Sequence, residues 1–88
     1  MKYITVFHQA NCQPCRLTMK MLDKLGAAYD THPLDDGSEE ADAALQRAKA
    51  LGLTSAPIVE VRGYHGEVIR TISGYNPKAL REVLGFAR

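Results

Sequence analysis

The chain opens on Tyr3-Ile4-Thr5-Val6-Phe7, a β-branched and aromatic run with almost no polar interruption. Apolar residues at both parities predict a central strand covered on each face. A turn-like stretch follows, Gln9-Ala10-Asn11-Cys12-Gln13-Pro14, and the period then changes. Leu17, Met21, Leu22 and Leu25 recur at helical spacing, with Lys20, Asp23 and Lys24 between them. Pro14 suits the first turn of this helix, where a missing N–H costs nothing, and Gly26 suits its end. Ala28 to Leu34 reads as a weaker strand, ended by Pro33 and the turn-rich Asp35-Asp36-Gly37-Ser38. A second helix is predicted from Glu39 to Leu51, with Ala41, Ala44, Leu45, Ala48 and Leu51 as its apolar stripe, Ser38 as N-cap and Gly52 as stop.

After Thr54-Ser55-Ala56-Pro57 the period becomes that of strands: Ile58-Val59-Glu60-Val61, then Glu67-Val68-Ile69-Arg70-Thr71-Ile72. Gly63-Tyr64-His65-Gly66 between them is a hairpin loop. Ser73-Gly74-Tyr75-Asn76-Pro77 forms another turn, and Lys78 to Leu84 a short last helix. The order βαβαββα belongs to the α/β class. It predicts a four-stranded mixed sheet flanked by three helices, its first two strands parallel and its last two an antiparallel hairpin.

Composition narrows the picture. At 88 residues the chain has room for a single domain, 1–88. A hydrophobic fraction of 45% beside 24% charged residues excludes wholesale disorder. The formal net charge of +1 gives no bulk electrostatic case for nucleic acid or an anionic membrane. No apolar run approaches the roughly 20 residues of a membrane span. The N-terminal Met1-Lys2-Tyr3-Ile4 lacks the apolar core and cleavage site of a secretory signal, so a cytoplasmic monomer is the expectation. Asp35, Asp36, Glu39, Glu40 and Asp42 make one end of the fold locally negative and read as a solvated helix start.

The two cysteines, Cys12 and Cys15, stand as Cys-x-x-Cys between the first strand and the first helix. A disulfide closing so short a loop constrains the unfolded chain little, so the pair calls for a chemical explanation. A helix N-terminus offers unpaired N–H groups and partial positive charge, which stabilise a thiolate. Cys12 is therefore the expected nucleophile on a partner disulfide, and Cys15, one turn on and more buried, the residue that resolves the mixed disulfide. Arg16 adds positive potential. Three other readings stand beside this one. An intramolecular metal site would need ligands from His8, His32 and His65, which lack a zinc-like spacing. The pair could also hold a cluster shared between two chains, or be inert core cysteines.

The chain resembles the glutaredoxin-like redoxins of the NrdH type, members of the thioredoxin-fold superfamily. The resemblance spans essentially the whole chain. It rests on the element order, on Cys12-Gln13-Pro14-Cys15, on Ser55-Ala56-Pro57-Ile58-Val59 and on Ser73-Gly74-Tyr75-Asn76-Pro77. It implies a thioredoxin fold and a cis proline at Pro57 facing the dithiol, with the backbone at Ala56 pairing with a bound peptide like an added strand. By the same resemblance Gln13, Pro14, Gly74 and Tyr75 border the substrate. It further implies an electron donor to ribonucleotide reductase, recycled by thioredoxin reductase, with no cofactor of its own and NADPH used only through the reductase.

The alternatives are a glutathione-dependent glutaredoxin and an iron–sulfur module built across a dimer. Against glutathione, Gln9 stands where glutaredoxins carry a lysine, and Tyr75 follows Gly74 where they carry a second glycine. The NrdH group also has that lysine, and a tryptophan where Ile72 stands here; the loop around Tyr64-His65 is longer than usual for it. Of the remaining residues, His8 reads as a partly exposed strand end, His32 and His65 as exposed, and Met19 and Met21 as core or near-core. Tyr75 has two readings, covering the site or packing at the start of the last helix.

Overall fold

A computed structural model of the chain describes residues 3–85. Met1 and Lys2 of the N-terminal reading, and residues 86–88 of the 1–88 domain, lie outside the described residues. The elements follow the predicted order: β1 Tyr3–His8, α1 Gln13–Lys24, β2 Asp30–Pro33, α2 Glu39–Ala50, β3 Ile58–Arg62, β4 Val68–Ser73 and α3 Pro77–Val83. The sheet runs β2-β1-β3-β4. β1 pairs parallel with β2 and antiparallel with β3, and β4 closes the hairpin on β3. This is the α/β thioredoxin-like fold, with the four-stranded mixed sheet and three helices that the sequence predicts.

Because successive strand residues point to opposite faces, the apolar runs of β1 and β3 supply two cores at once. Ile4, Val6, Val59, Val61 and Ile72 pack with Met21 and Leu22 of α1 and Ala79, Leu80 and Val83 of α3. Phe7 and Ile58 turn the other way, toward Leu34 and toward Ala44 and Ala48 of α2. The weak strand is shorter than its predicted span, holding only Asp30–Pro33 at the sheet edge.

Two expected stripes are narrower than predicted. On α2 only Ala41, Ala44 and Ala48 are buried, whereas Leu45 and Leu51 are exposed. Leu45 lies roughly 60° around the helix from the centre of that alanine face, and Leu51 is already the C-cap. On α1 the buried set is Cys15, Thr18, Met21 and Leu22, with Thr18 taking the inner position and leaving Leu17 exposed. Met19 packs at the margin of the same core.

The sheet face under α2 also carries a charge. Glu60 of β3 is fully buried, and its carboxylate accepts from Arg47 Nε at 2.7 Å, Arg47 Nη2 at 2.8 Å and Arg62 Nη2 at 2.9 Å. Such a carboxylate is tolerated only when paired and hydrogen-bonded. The hydrogen bonds to Glu60 hold the Arg47 guanidinium above its ordinary basicity, outweighing its partial burial. Among the described residues, no helix is long and apolar enough to cross a membrane.

Candidate active site

The site is built where β1 gives way to α1. β1 stops at His8, and Asn11 takes the left-handed conformation, φ 55°, which its short polar side chain tolerates better than most. That turn delivers Cys12 as the N-cap of α1, in extended conformation at φ −105° and ψ 105°. Its Sγ accepts from the Cys15 N–H at 3.2 Å, and its carbonyl accepts from the Arg16 N–H at 3.2 Å. Cys12 thus occupies the place, and makes the bond, of a serine or aspartate cap, with sulfur as the acceptor. Cys12 and Cys15 are joined as a disulfide, their Cα atoms 5.2 Å apart.

Burial divides the pair as the sequence predicts. Cys15 is 1% exposed on the inner face of α1, while Cys12 is only partly buried. Gln13 and Pro14, between them, are exposed, and Pro14 lies in the first turn. No acidic residue stands in the first turn of α1, so its positive end is left to the sulfur. The first turn of α2, by contrast, carries Glu39, Glu40 and Asp42. There Ser38 caps the helix conventionally, its Oγ accepting from the Ala41 N–H at 3.2 Å. The same helix-end physics therefore serves fold stability at α2 and cysteine chemistry at α1.

The second group of predicted residues is assembled by the sheet. Phe7 is paired with Ile58, and Ile58 with Ser73. The exit from β1 toward Cys12, the approach to β3 through Ala56-Pro57 and the exit from β4 into Gly74 thus lie at one end of the sheet. The Ala56–Pro57 peptide bond is cis. Pro57 is buried and Ala56 partly so. Four hydrogen bonds fasten this segment to the end of β4. The Gly74 N–H donates to Ser55 O at 3.1 Å and to Pro57 O at 2.9 Å. The Ser73 hydroxyl accepts from the Ser55 N–H at 3.0 Å and donates to Ser55 O at 2.7 Å. Gly74 holds φ +71°, a conformation that a side chain makes costly. Tyr75, next to it, is 40% exposed, which removes the core-packing reading.

The three histidines lie on separate parts of the fold: β1, β2 and the loop between β3 and β4. His8 is partly exposed at the end of β1 and His65 exposed in the hairpin loop. His32 is less exposed than predicted: its ring packs on Phe7 at 5.6 Å and its Nε2 lies 3.2 Å from the Glu40 carboxylate. Two polar residues escaped the sequence reading. Glu60 sits in what looked like an ordinary alternating strand; the signal that marks it is an arginine at Arg47, on the α2 face, to receive it. Thr18 was hidden by the leucines around it, although it stands four residues after Pro14, the spacing at which a threonine hydroxyl reaches a helix carbonyl.

Comparison with known proteins matches this geometry to a family. The family model named Glutaredoxin matches residues 4–65, well over half of the chain. No curated protein matches the sequence. Among solved structures, the chain is similar to glutaredoxin from Archaeoglobus fulgidus, at 21% identity and TM-score 0.69, over 96% of this chain and 87% of that one. It is similar to the glutaredoxin-like protein NrdH-redoxin from Escherichia coli, at 18% identity and TM-score 0.69, over 92% of this chain and 93% of that one. A buckwheat glutaredoxin–glutathione complex matches at 25% identity and TM-score 0.64, over 98% of this chain and 73% of that one. With its Cys-x-x-Cys disulfide at the start of α1, the chain belongs to the Glutaredoxin family and is a glutaredoxin-like thiol–disulfide oxidoreductase.

Proposed function

We propose that the protein is a dithiol electron donor to a protein disulfide, ribonucleotide reductase being the foremost target, recycled by thioredoxin reductase at the expense of NADPH. The observation that carries this reading is the Cys12–Cys15 pair itself, with Cys12 capping α1 and Cys15 buried behind it. In the reduced protein the Cys12 thiolate attacks one sulfur of the target disulfide. A Cys12–target bond forms, the target S–S bond breaks, and the departing target sulfur leaves as a thiolate that takes up a proton. Cys15, deprotonated, then attacks Cys12 Sγ and expels the second target sulfur in the same way. Two electrons have passed to the target, and the protein is left with the Cys12–Cys15 disulfide. Exchange with reduced thioredoxin reductase returns both electrons.

Gln13 and Pro14 present an exposed rim beside the sulfurs, and the Ala56-Pro57 segment offers backbone to an extended peptide. The fastening of that segment to Ser73 and Gly74 supports its use as a platform. For the choice of reductase, support comes from Gln9 and from Tyr75, which deprive a glutathione carboxylate of a lysine and its backbone of a second glycine. The similar E. coli protein is described as having a thioredoxin-like activity profile.

A second reading is glutathione dependence, favoured by the likeness to the buckwheat glutaredoxin that was crystallised with glutathione. Parallel assays of NADPH oxidation with a disulfide substrate decide between them. One contains thioredoxin reductase, the other glutathione and glutathione reductase. Turnover in the first alone supports the proposal, and turnover in the second alone transfers the protein to the glutathione reading.

A further inference from the structure

The peptide bond between Pro14 and Cys15 is hydrogen-bonded at both of its ends. Its N–H donates to Cys12 Sγ at 3.2 Å. Its carbonyl oxygen accepts from the Thr18 hydroxyl at 2.8 Å. Thr18 is 0% exposed, on the same inner face of α1 as Cys15 and one turn further on. A threonine in mid-helix is a weak helix former, and a buried hydroxyl is costly unless it is bonded. Valine matches the shape of threonine and carries no hydroxyl to satisfy. The hydroxyl therefore calls for a reason beyond the core.

Amide resonance supplies one. Accepting a hydrogen bond at the carbonyl draws charge through the peptide and makes the N–H at its other end a better donor. The chain of contacts runs from the Thr18 Oγ1–H to the Pro14 carbonyl, across the peptide to the Cys15 N–H, and on to Cys12 Sγ. We infer that Thr18 is a positioning residue for the thiol chemistry, polarising and fixing the Pro14–Cys15 peptide so that the Cys15 N–H stabilises the Cys12 thiolate. The inference rests on the reading of Cys12 as the nucleophile. It deepens that reading by assigning part of the thiolate stabilisation to one buried hydroxyl rather than to the helix end alone.

The test is the rate of iodoacetamide alkylation of the fully reduced protein against pH, with the modified cysteine identified by mass spectrometry. Wild type, Thr18→Val and Thr18→Ser are compared. Thr18→Val keeps the shape and removes the donor; Thr18→Ser keeps the donor and removes a methyl. The titration midpoint of Cys12 is expected to rise by about 0.1 to 0.7 pH units in Thr18→Val, from a tenth to a third added to a charged hydrogen bond. Thr18→Ser is expected to return it to the wild-type value, which a merely space-filling role would not do. A midpoint in Thr18→Val that coincides with wild type overturns the inference, as does a raised midpoint that Thr18→Ser fails to restore.

Initial alkylation at Cys15 in the wild type overturns the assignment of the nucleophile instead, a separate failure recognised before any variant is read. Should Thr18→Val not fold, the wild type alone decides by NMR. The Thr18 side-chain and Pro14 carbonyl resonances are expected to titrate with Cys12, and their indifference to its ionisation overturns the inference.

Discussion

The Gly74 N–H donates to the carbonyl of Pro57 at 2.9 Å, tying the turn after β4 to the residue that leads into β3. Gly74 holds φ +71°, and nothing but Ser55 Cβ, at 3.8 Å, lies near the place of an added methyl. Gly74→Ala therefore acts through backbone conformation, at a cost of about 1 kcal/mol. If the Ala56-Pro57 backbone is the platform for a protein substrate, kcat/KM for a protein disulfide should fall about five-fold, the factor that such a cost implies. The rate with a small aliphatic disulfide should stay near that of wild type. Equal losses on both substrates would place the effect at the sulfurs rather than at the platform.

Arg47 and Glu60 make a separate prediction, about stability. Arg47→Ala leaves the buried Glu60 carboxylate with Arg62 alone. Breaking a buried pair costs about 3–5 kcal/mol, and the remaining Arg62 bond together with the partial exposure of Arg47 brings the expectation to about 2 kcal/mol. Arg47→Lys, which cannot supply the two-pronged contact, should lose about half as much. Urea denaturation measures both, and an unchanged midpoint in Arg47→Ala would contradict the structural account. Thiol exchange should be unaffected in the folded variants, because α2 packs on the face of the sheet opposite α1.

Tyr29 predicts an alkaline signature. Its hydroxyl donates to Asp23 Oδ1 at 2.9 Å. Desolvation, that bond and the nearby carboxylate charge all raise its pKa above 10.0. A raised folded value means the proton is held more tightly in the native state. The stabilisation is thus complete below the unfolded value, near pH 10, and is lost as pH rises through the folded one. Ultraviolet titration should therefore show a tyrosine ionising above the ordinary value. Tyr29→Phe should remove that raised step; its persistence in Tyr29→Phe would contradict the assignment.

The residues that were legible in the sequence are those whose structural cause is local. The parity of Tyr3–Phe7 reports two buried faces, and Pro14 and Gly26 bracket α1 by chemistry that needs no neighbour. The Cys-x-x-Cys shows its place at a helix start for the same reason. What was not legible depends on contacts distant in sequence. Glu60 alternates with valines as a solvent-facing strand residue would, and only the packing of α2 brings Arg47 to it. Leu45 and Leu51 fit a helical stripe by spacing, yet α2 rests on its alanines and leaves both leucines outside. The hydrogen bonds that join Ser55 and Pro57 to Ser73 and Gly74 likewise appear only when β3 and β4 are paired.

The central claim is the division of labour between Cys12 and Cys15. It is tested most directly by mass spectrometry of single-cysteine variants mixed, in reduced form, with a protein disulfide. The account predicts that Cys15→Ser accumulates a stable mixed disulfide through Cys12, and that Cys12→Ser forms little or none, because Cys15 is 1% exposed. Accumulation through Cys15 in the Cys12→Ser variant, with Cys15→Ser inert, would contradict it.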